Sequence, residues 1–366
     1  MKLILLGDPN SVHIIKWAKL LSENKIDILI FGLNPCIVDD YQHISNIEIF
    51  TLNENTTLHE GALGKLKYIK AVPELKKIVK QFKPDILHAH YATSYGLLGA
   101  LSRFHPFVLS VWGSDVFSFP NKSFLHRLIL KYNLKQADKI LSTSHIMAKE
   151  TNLYTDKEIE ITPFGIDMEQ FKPMYTKENL FRKNDIIIGT VKALEEEYGI
   201  EYLIKAFKIV SDKHKELPLK LLIVGGGSLE NNLKGLVKKL ELENDTLFVG
   251  KVHFSEVPKY QNMLSVSVSV SDSESFGVAI IEASACAKPV VVSNVGGLPE
   301  VVKDGVTGII VLSRDEFSTA DAIEKLILDK ELRDKMGENG RERIKKFYNL
   351  NDNVDQMINI YEGILK

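Results

Sequence analysis

Two glutamates, Glu274 and Glu282, stand with seven residues between them in the stretch SVSDSESFGVAIIEASACAKPVVVSNVGGLPE, residues 269 to 300. An ionised carboxylate only accepts hydrogen bonds, so the pair suits the vicinal hydroxyls of a sugar or ribose better than a phosphate. Gly277, Gly296 and Gly297 lie beside them, where strands are expected to turn into helices. Backbone without a Cβ lets an anion come close. The unpaired amides and positive dipole end of a helix N-terminus then favour phosphate. A phosphate cradle flanked by two hydroxyl acceptors describes a site for a sugar nucleotide. The plain alternative is that Glu274 only caps a helix and Glu282 lies on a solvated face.

A second pair of reactive side chains stands in ILHAHY, 86 to 91. Residues i and i+2 of a strand share a face, so His88 and His90 point the same way. His90 is one pleat, ~6.6 Å, nearer the carboxyl end, where open parallel sheets bind ligands. His90 is therefore the histidine expected to act, with His88 beneath it as support. Packing alone would explain both.

The elements that must hold these residues alternate strand and helix from end to end. KLILL (2 to 6), a Gly7–Ser11 turn with Ser11 as helix cap, HIIKWAKLLSENK and IDILIFG open the chain as β-α-β. No G-x-G-x-x-G follows the first strand, so a nicotinamide fingerprint is absent. Residues 34 to 60 read as irregular, and 62 to 82 as helix broken at Pro73. Strands follow at 86 to 91 and 105 to 111, the latter running into Gly113-Ser114-Asp115, and then a helix over 123 to 136. Pro163, Gly165, Pro173 and a polar run to Asp185 mark a domain boundary. The alternation then restarts with strands at 186 to 192, 218 to 227, 246 to 252, 266 to 270 and 289 to 293, followed by GVTGIIV at 305 to 311. Gly225-Gly226-Gly227 opens a helix but lacks the third glycine of a dinucleotide loop, where Glu230 stands. Three helices close the chain, over about 317–328, 330–347 and 351–365.

Composition excludes several classes. At 366 residues, 45% hydrophobic, 26% charged and a net charge of −2, this is an ordinary globular chain of two-domain size. Cys36 and Cys286 form no metal or redox spacing. No apolar run reaches the ~20 residues of a membrane span, and MKLILLGDPNS reads as a first strand rather than a leader. Together these suit a cytoplasmic protein. Thirteen Lys and Arg against four acids between Gly61 and Lys139 leave +9 there on a nearly neutral chain. Such a surface is either simply solvated or faces an anionic membrane or a lipid-linked acceptor. Nothing points to nucleic acid.

E-S-F-G-V-A-I-I-E, followed by P-V-V-x-S-x-x-G-G-x-P-E, resembles the E-x7-E donor motif of family 4 retaining glycosyltransferases. The resemblance extends to D-x-x-H-x-H at Asp85–His90, to the strand and turn ending at Asp115, and to IEITPFGIDMEQF. It implies a GT-B fold: two Rossmann-like, doubly wound α/β domains facing across a cleft, with the last helix crossing back. The domains implied are 1–172, with helix 351–366, for the acceptor, and 173–350 for the nucleotide-sugar donor. The reaction implied is sugar transfer to an acceptor hydroxyl in polysaccharide, glycan or glycolipid synthesis. It retains anomeric configuration, with no cofactor, no metal and no protein nucleophile.

The resemblance makes His90 and Glu274 catalytic. It places the donor among Lys192, Gly226, Val252, Glu274, Ser275, Phe276, Gly277, Val278 and Glu282, with Glu282 on the ribose and Val252 by the base. Asn10, Ser11 and Asp115 fall on the acceptor side. Four positions depart from the pattern. Trp112 replaces a common histidine, Phe164 replaces an asparagine, and the Arg and Lys places of G-R-L-x-x-x-K-G hold Ala193 and Tyr198. Lys192 is then the remaining diphosphate cation, with Glu195, Glu196 and Glu197 expected to face solvent. The rivals are a nucleotide-sugar epimerase, a phosphorylase, or a non-catalytic sugar- or lipid-binding subunit.

Overall fold

The protein is described by a computed structural model that covers residues 1–52, 64–175 and 180–366, the side chains of 64–69 excepted. Two compact units emerge, Met1–Pro163 with Asp352–Lys366, and Phe164–Asn351. Each is built on one parallel sheet.

The first unit contains β1 (Lys2–Leu6), β2 (Asp27–Gly32), β3 (Ile47–Thr51), β4 (Ile86–His90), β5 (Phe107–Val111), β6 (Lys139–Ser142) and β7 (Ile159–Ile161), ordered 3-2-1-4-5-6-7. Strands such as KLILL and FVLSV are continuous apolar runs because helices cover both faces of a parallel sheet. The sheet order reverses beside β1, where β2 lies on one side and β4 on the other. β3 falls in the segment expected to be irregular. It is an edge strand of mixed exposure that lacks a clean two-residue alternation, and its partner β2 holds it, with Phe50 stacked on Phe31 at 5.4 Å.

The helix Gly64–Phe82 runs unbroken through Pro73. Pro73 is exposed, so the carbonyl that a proline leaves unpaired can meet water. One core layer of this unit contains Leu3, Leu5, Trp17, Leu21 and Val108. The last helix, Leu350–Leu365, completes that layer with Val354, Met357, Ile360 and Tyr361. The expected return of the terminal helix is thus a matter of one shared apolar layer.

The second unit contains β8 (Ile186–Val191), β9 (Leu219–Val224), β10 (Thr246–Gly250), β11 (Val266–Ser269), β12 (Val290–Ser293) and β13 (Gly308–Val311), ordered 10-9-8-11-12-13. Here the order reverses beside β8. The break between units comes after Pro163, nine residues before the boundary expected at 172. Residues 164–171 belong to the second unit because three of them pack into it. Phe164 meets Phe276 at 5.6 Å, Ile166 bridges Asn349, and Phe171 meets Phe254 at 5.7 Å.

Both tryptophans, Trp17 and Trp112, lie in the first unit, so their fluorescence follows its unfolding alone. Tyr361 is 0% exposed. Tyr361→Ala should lower the stability read this way by about 3–5 kcal/mol, as truncating a buried aromatic does. An unchanged denaturant midpoint would mean that the terminal helix is not part of this core.

Candidate active site

In open parallel sheets a crevice forms where the strand order reverses, at the carboxyl ends of the two strands involved. In the second unit those strands are β8 and β11. Lys192 follows β8 directly and Glu274 follows β11, so the fold brings together residues 82 positions apart. Lys192 Nζ is ion-paired to Glu274 Oε2, with the two side chains 10% and 12% exposed. Tyr198 covers the pair, its ring centroid 4.3 Å from Nζ. Burial, and then the neighbouring Glu274 charge, push the Tyr198 phenol upward. The residue in the place of the family's lysine therefore shields the lysine that remains.

The loop after β11 leads into the helix Val278–Ala285, capped by Gly277 at φ +109°. Ile280 and Ile281 already donate to the Gly277 carbonyl, at 3.0 and 3.2 Å. The Phe276, Gly277 and Val278 amides lie ahead of that first closed turn, as the expected phosphate cradle requires. Phe276 is buried between Phe164 and Tyr348, at 5.6 and 5.7 Å. An aromatic at 164 thus braces the loop from behind. Glu282 is 6% exposed, so it does not sit on a solvated helix face.

Two expectations fail here. Gly296 and Gly297 do not open the backbone to an anion. A Cβ at 296 would stand 1.6 Å from the Glu274 carbonyl oxygen, and one at 297 would stand 2.6 Å from that of Ser275. These glycines let the loop after β12 press against the loop after β11, where the Gly297 amide donates to the Glu274 carbonyl at 3.0 Å. Glu195 does not simply face solvent either. Its carboxylate accepts from the Ser228 amide at 3.0 Å and from the Ser228 hydroxyl, which lowers its pKa. It thereby ties the glycine loop to the segment after β8. Within that loop Gly225 and Gly227 press on the Lys192 and Leu194 carbonyls, while a Cβ at Gly226 would find nothing nearer than 3.4 Å. Val252 is half-buried against the Leu222–Val224 side of the sheet.

In the first unit the reversal lies between β1 and β4, and His90 is the last residue of β4. Its ring lies 4.1 Å from that of His88 and 4.9 Å from that of Trp112. His90 is 2% exposed, and neither of its ring nitrogens has a hydrogen-bond partner among the described residues. An unmade hydrogen bond at a buried group is costly, which marks His90 as a group with capacity left for a ligand. His88 is fully satisfied, by the Tyr361 hydroxyl at Nδ1 (2.6 Å) and the Ser110 hydroxyl at Nε2 (2.8 Å). The two rings thus differ in hydrogen bonding as well as in depth along the strand. Tyr361 supports the pair from the terminal helix, and Ser110 and Trp112 support it from β5 and the residue after it. Only Trp112 had a signal in the sequence, as a departure from the family pattern.

The acceptor-side residues are bound up in the loops that carry them. The Asn10 amide accepts from the Ile37 N–H at 2.8 Å and donates to the Pro35 carbonyl at 2.8 Å. Ser11 occupies the cap position of the helix Val12–Glu23 without making the side-chain cap expected of it. Asp115 is fully buried and accepts from the amides of Ala92 and Gly113, each at 2.7 Å, and of Trp112 at 3.2 Å. Burial raises its pKa and these bonds pull it back. Asp115 is thus the tie between the loops that follow β4 and β5.

Burial holds His88 at a pKa of about 3 and His90 well below its ordinary value. Both are neutral in the folded unit at pH 7, whereas an unfolded histidine titrates near 6.5. Below pH 6.5 the unfolded chain binds more protons, so stability that is complete above that pH is lost as pH falls toward the folded values. At pH 5 the loss should be about 2 kcal/mol for His88, with a further loss of the same sign from His90. Tryptophan-monitored melting should fall between pH 7 and 5, and less steeply in His90→Gln. Equal slopes would show that His90 is not buried neutral.

The profile described as Glycosyl transferases group 1 matches residues 171–343, and that described as Glycosyl transferase 4-like matches 2–144. An uncharacterized glycosyltransferase of Methanocaldococcus jannaschii is 30% identical over 83% of this chain and 85% of its own. The N-acetyl-alpha-D-glucosaminyl L-malate synthase of Bacillus anthracis is 28% identical over 87% of each. Among solved structures, sucrose-phosphate synthase from Thermosynechococcus elongatus superposes with a TM-score of 0.87 at 21% identity, covering 99% of this chain and 98% of that one. Anabaena HepE, solved with UDP and glucose, superposes with a TM-score of 0.79 at 19% identity, covering 99% and 100%. These likenesses establish a GT-B fold, and the chain belongs to the group 1, or family 4, glycosyltransferases.

Proposed function

We propose that this glycosyltransferase takes its sugar from a nucleotide-diphosphate donor and passes it to a hydroxyl of a glycan or lipid-linked acceptor. Configuration at the anomeric carbon is retained, and neither a divalent ion nor a cofactor takes part. The observation that carries the reading is the Lys192–Glu274 pair beside the N-terminus of helix Val278–Ala285, at the reversal of the second sheet. Transfer breaks the bond between the anomeric carbon and the diphosphate oxygen, leaving negative charge on the phosphate. Fixed amides and one cation aimed at that oxygen stabilise the charge without reorganising. On donor binding, Lys192 turns from Glu274 to the diphosphate, which leaves the Glu274 carboxylate for the sugar hydroxyls. Glu282 accepts from the ribose. Gly226 and Val252 line the side of the base, and Ser275 lies between the sugar and the phosphate.

His90, neutral and with both nitrogens unpaired, is suited to hydrogen-bond the transferring sugar or the incoming hydroxyl. The departing phosphate takes the hydroxyl proton. The B. anthracis relative, named for making N-acetylglucosaminyl malate, and HepE, solved with UDP and glucose, are in keeping with a nucleotide-sugar donor. No helix among the described residues is long and apolar enough to cross a membrane. The proposed place of action is the cytoplasm, where nucleotide sugars are made. The nearest rival is an epimerase on the same fold, which would interconvert nucleotide sugars with no acceptor present and release no net nucleotide diphosphate.

Glu282→Ala should weaken donor binding roughly 10- to 100-fold, the value of a charge-assisted hydrogen bond of ~1.5–3 kcal/mol. Calorimetric titration with a panel of nucleotide sugars tests this, and unchanged affinity would remove Glu282 from the site. His90→Ala should cut turnover by about 10² or more with nearly normal melting, whereas His88→Ala should cost stability at least as much as rate. Reversed profiles would reassign the reacting histidine. Activity should survive EDTA, and NMR of the product should show the donor's anomeric configuration. Metal dependence or inversion would each refute that part of the proposal.

A further inference from the structure

The helix Phe124–Gln136 divides its residues sharply between two sides. Leu130, Asn133 and Leu134 are buried against the first unit, and His126 and Ile129 are half-buried. The outer side carries large apolar residues instead of a polar face. Phe124 is 74% exposed, Leu125 63%, Leu128 46% and Tyr132 38%. Phe124, Leu128 and Tyr132 follow at i, i+4 and i+8, so they form one continuous stripe. Lys122, Arg127, Lys131 and Lys135 flank that stripe and are exposed. No Asp or Glu occurs between Asp115 and Asp138 to neutralise them.

We infer that this face docks the protein on an anionic lipid bilayer. Leucine and aromatic side chains enter the boundary between headgroups and acyl chains. Lysine and arginine lay their stems along the same apolar layer and keep their charges at the phosphates. Charge decides against the other occupants. A second copy docking face to face would bring eight cations together. A protein interface of ordinary composition would be depleted of lysine. At ~1.5 Å per residue the face is about 20 Å long, enough to lie along a membrane surface and too short to span it.

The excess positive charge of the first half is otherwise mostly solvated. Lys76, Lys77 and Lys80 on the helix Gly64–Phe82 are exposed, but over 70–82 that helix presents no large exposed apolar residue. Lys77 there lies 3.8 Å from Glu74. The basic charge is thus shared between two helices, and among the described side chains only Phe124–Gln136 carries an exposed apolar stripe. The inference stands apart from the transfer site, and none of these residues belongs to it.

Flotation of the full chain with vesicles tests it. The protein should float with phosphatidylcholine vesicles that contain phosphatidylglycerol and stay behind with phosphatidylcholine alone. Binding should weaken as salt rises, since exposed charges are screened beyond ~10 Å at 0.1 M. Leu125→Ser with Leu128→Ser, and separately Lys131→Glu with Lys135→Glu, should each lower partition about tenfold or more. Tryptophan-monitored melting should be unchanged in both. Lys76→Glu with Lys77→Glu should change partition far less. Three outcomes would overturn the inference: equal partition of wild type and both stripe variants, equal flotation with neutral vesicles, or a concentration-dependent dimer in light scattering that the stripe variants abolish.

Discussion

The hydrogen bond from the Gly297 amide to the Glu274 carbonyl, 3.0 Å long, is the contact on which the candidate site of the second unit depends. It joins the loops after two adjacent parallel strands so closely that no Cβ fits at 296 or 297. With its backbone held, Glu274 reaches the Lys192 ammonium across the β8–β11 reversal. The Phe276–Val278 amides are set at the start of their helix by the same loop. Phe164 and Tyr348, clamping Phe276, complete the support. The geometry for an anion is therefore made by backbone against backbone, with side chains holding it in place.

Charge in this site is managed by pairing, whereas in the first unit it is managed by exclusion. Lys192 and Glu274 are nearly buried, and two such charges are tolerated because each is the other's partner. Around His90 the solution is neutrality. Desolvation keeps both histidines uncharged, and His88 spends its two nitrogens on hydroxyls from β5 and from the terminal helix. The Tyr361 hydroxyl thus links the last residues of the chain to the strand that carries His88 and His90. This gives the return of the terminal helix a chemical consequence as well as a packing one.

The fold was legible because continuous apolar runs and Gly-bearing turns alternate with one-faced helices through both halves of the chain. β3 escaped because an edge strand with mixed exposure has neither an apolar run nor a clean alternation, and its identity comes from pairing with β2. The boundary near 163 was misplaced by nine residues for a similar reason. Prolines mark where a chain turns, but side-chain packing decides which unit owns the residues after the turn. Pro73 misled in the opposite direction, since a proline on the exposed side of a packed helix need not end it.

For the site, the sequence by itself determined the chemical inventory: two glutamates at fixed spacing, a glycine at a strand-to-helix turn, a histidine at a strand end, and one lysine after a first strand. Spacing along a single element is a local property, and local geometry follows from it. Only the tertiary structure decided what each group faces. It paired Lys192 with Glu274 under Tyr198, turned Gly296 and Gly297 from anion contacts into loop contacts, and gave Asp115 to the backbone. It also left His90 unsatisfied above a satisfied His88. Several of those outcomes depend on residues far apart in sequence, such as Ser110 and Tyr361, 22 and 273 positions from His88. No periodicity in the chain encodes them, because the parallel sheet order sets which strand ends become neighbours.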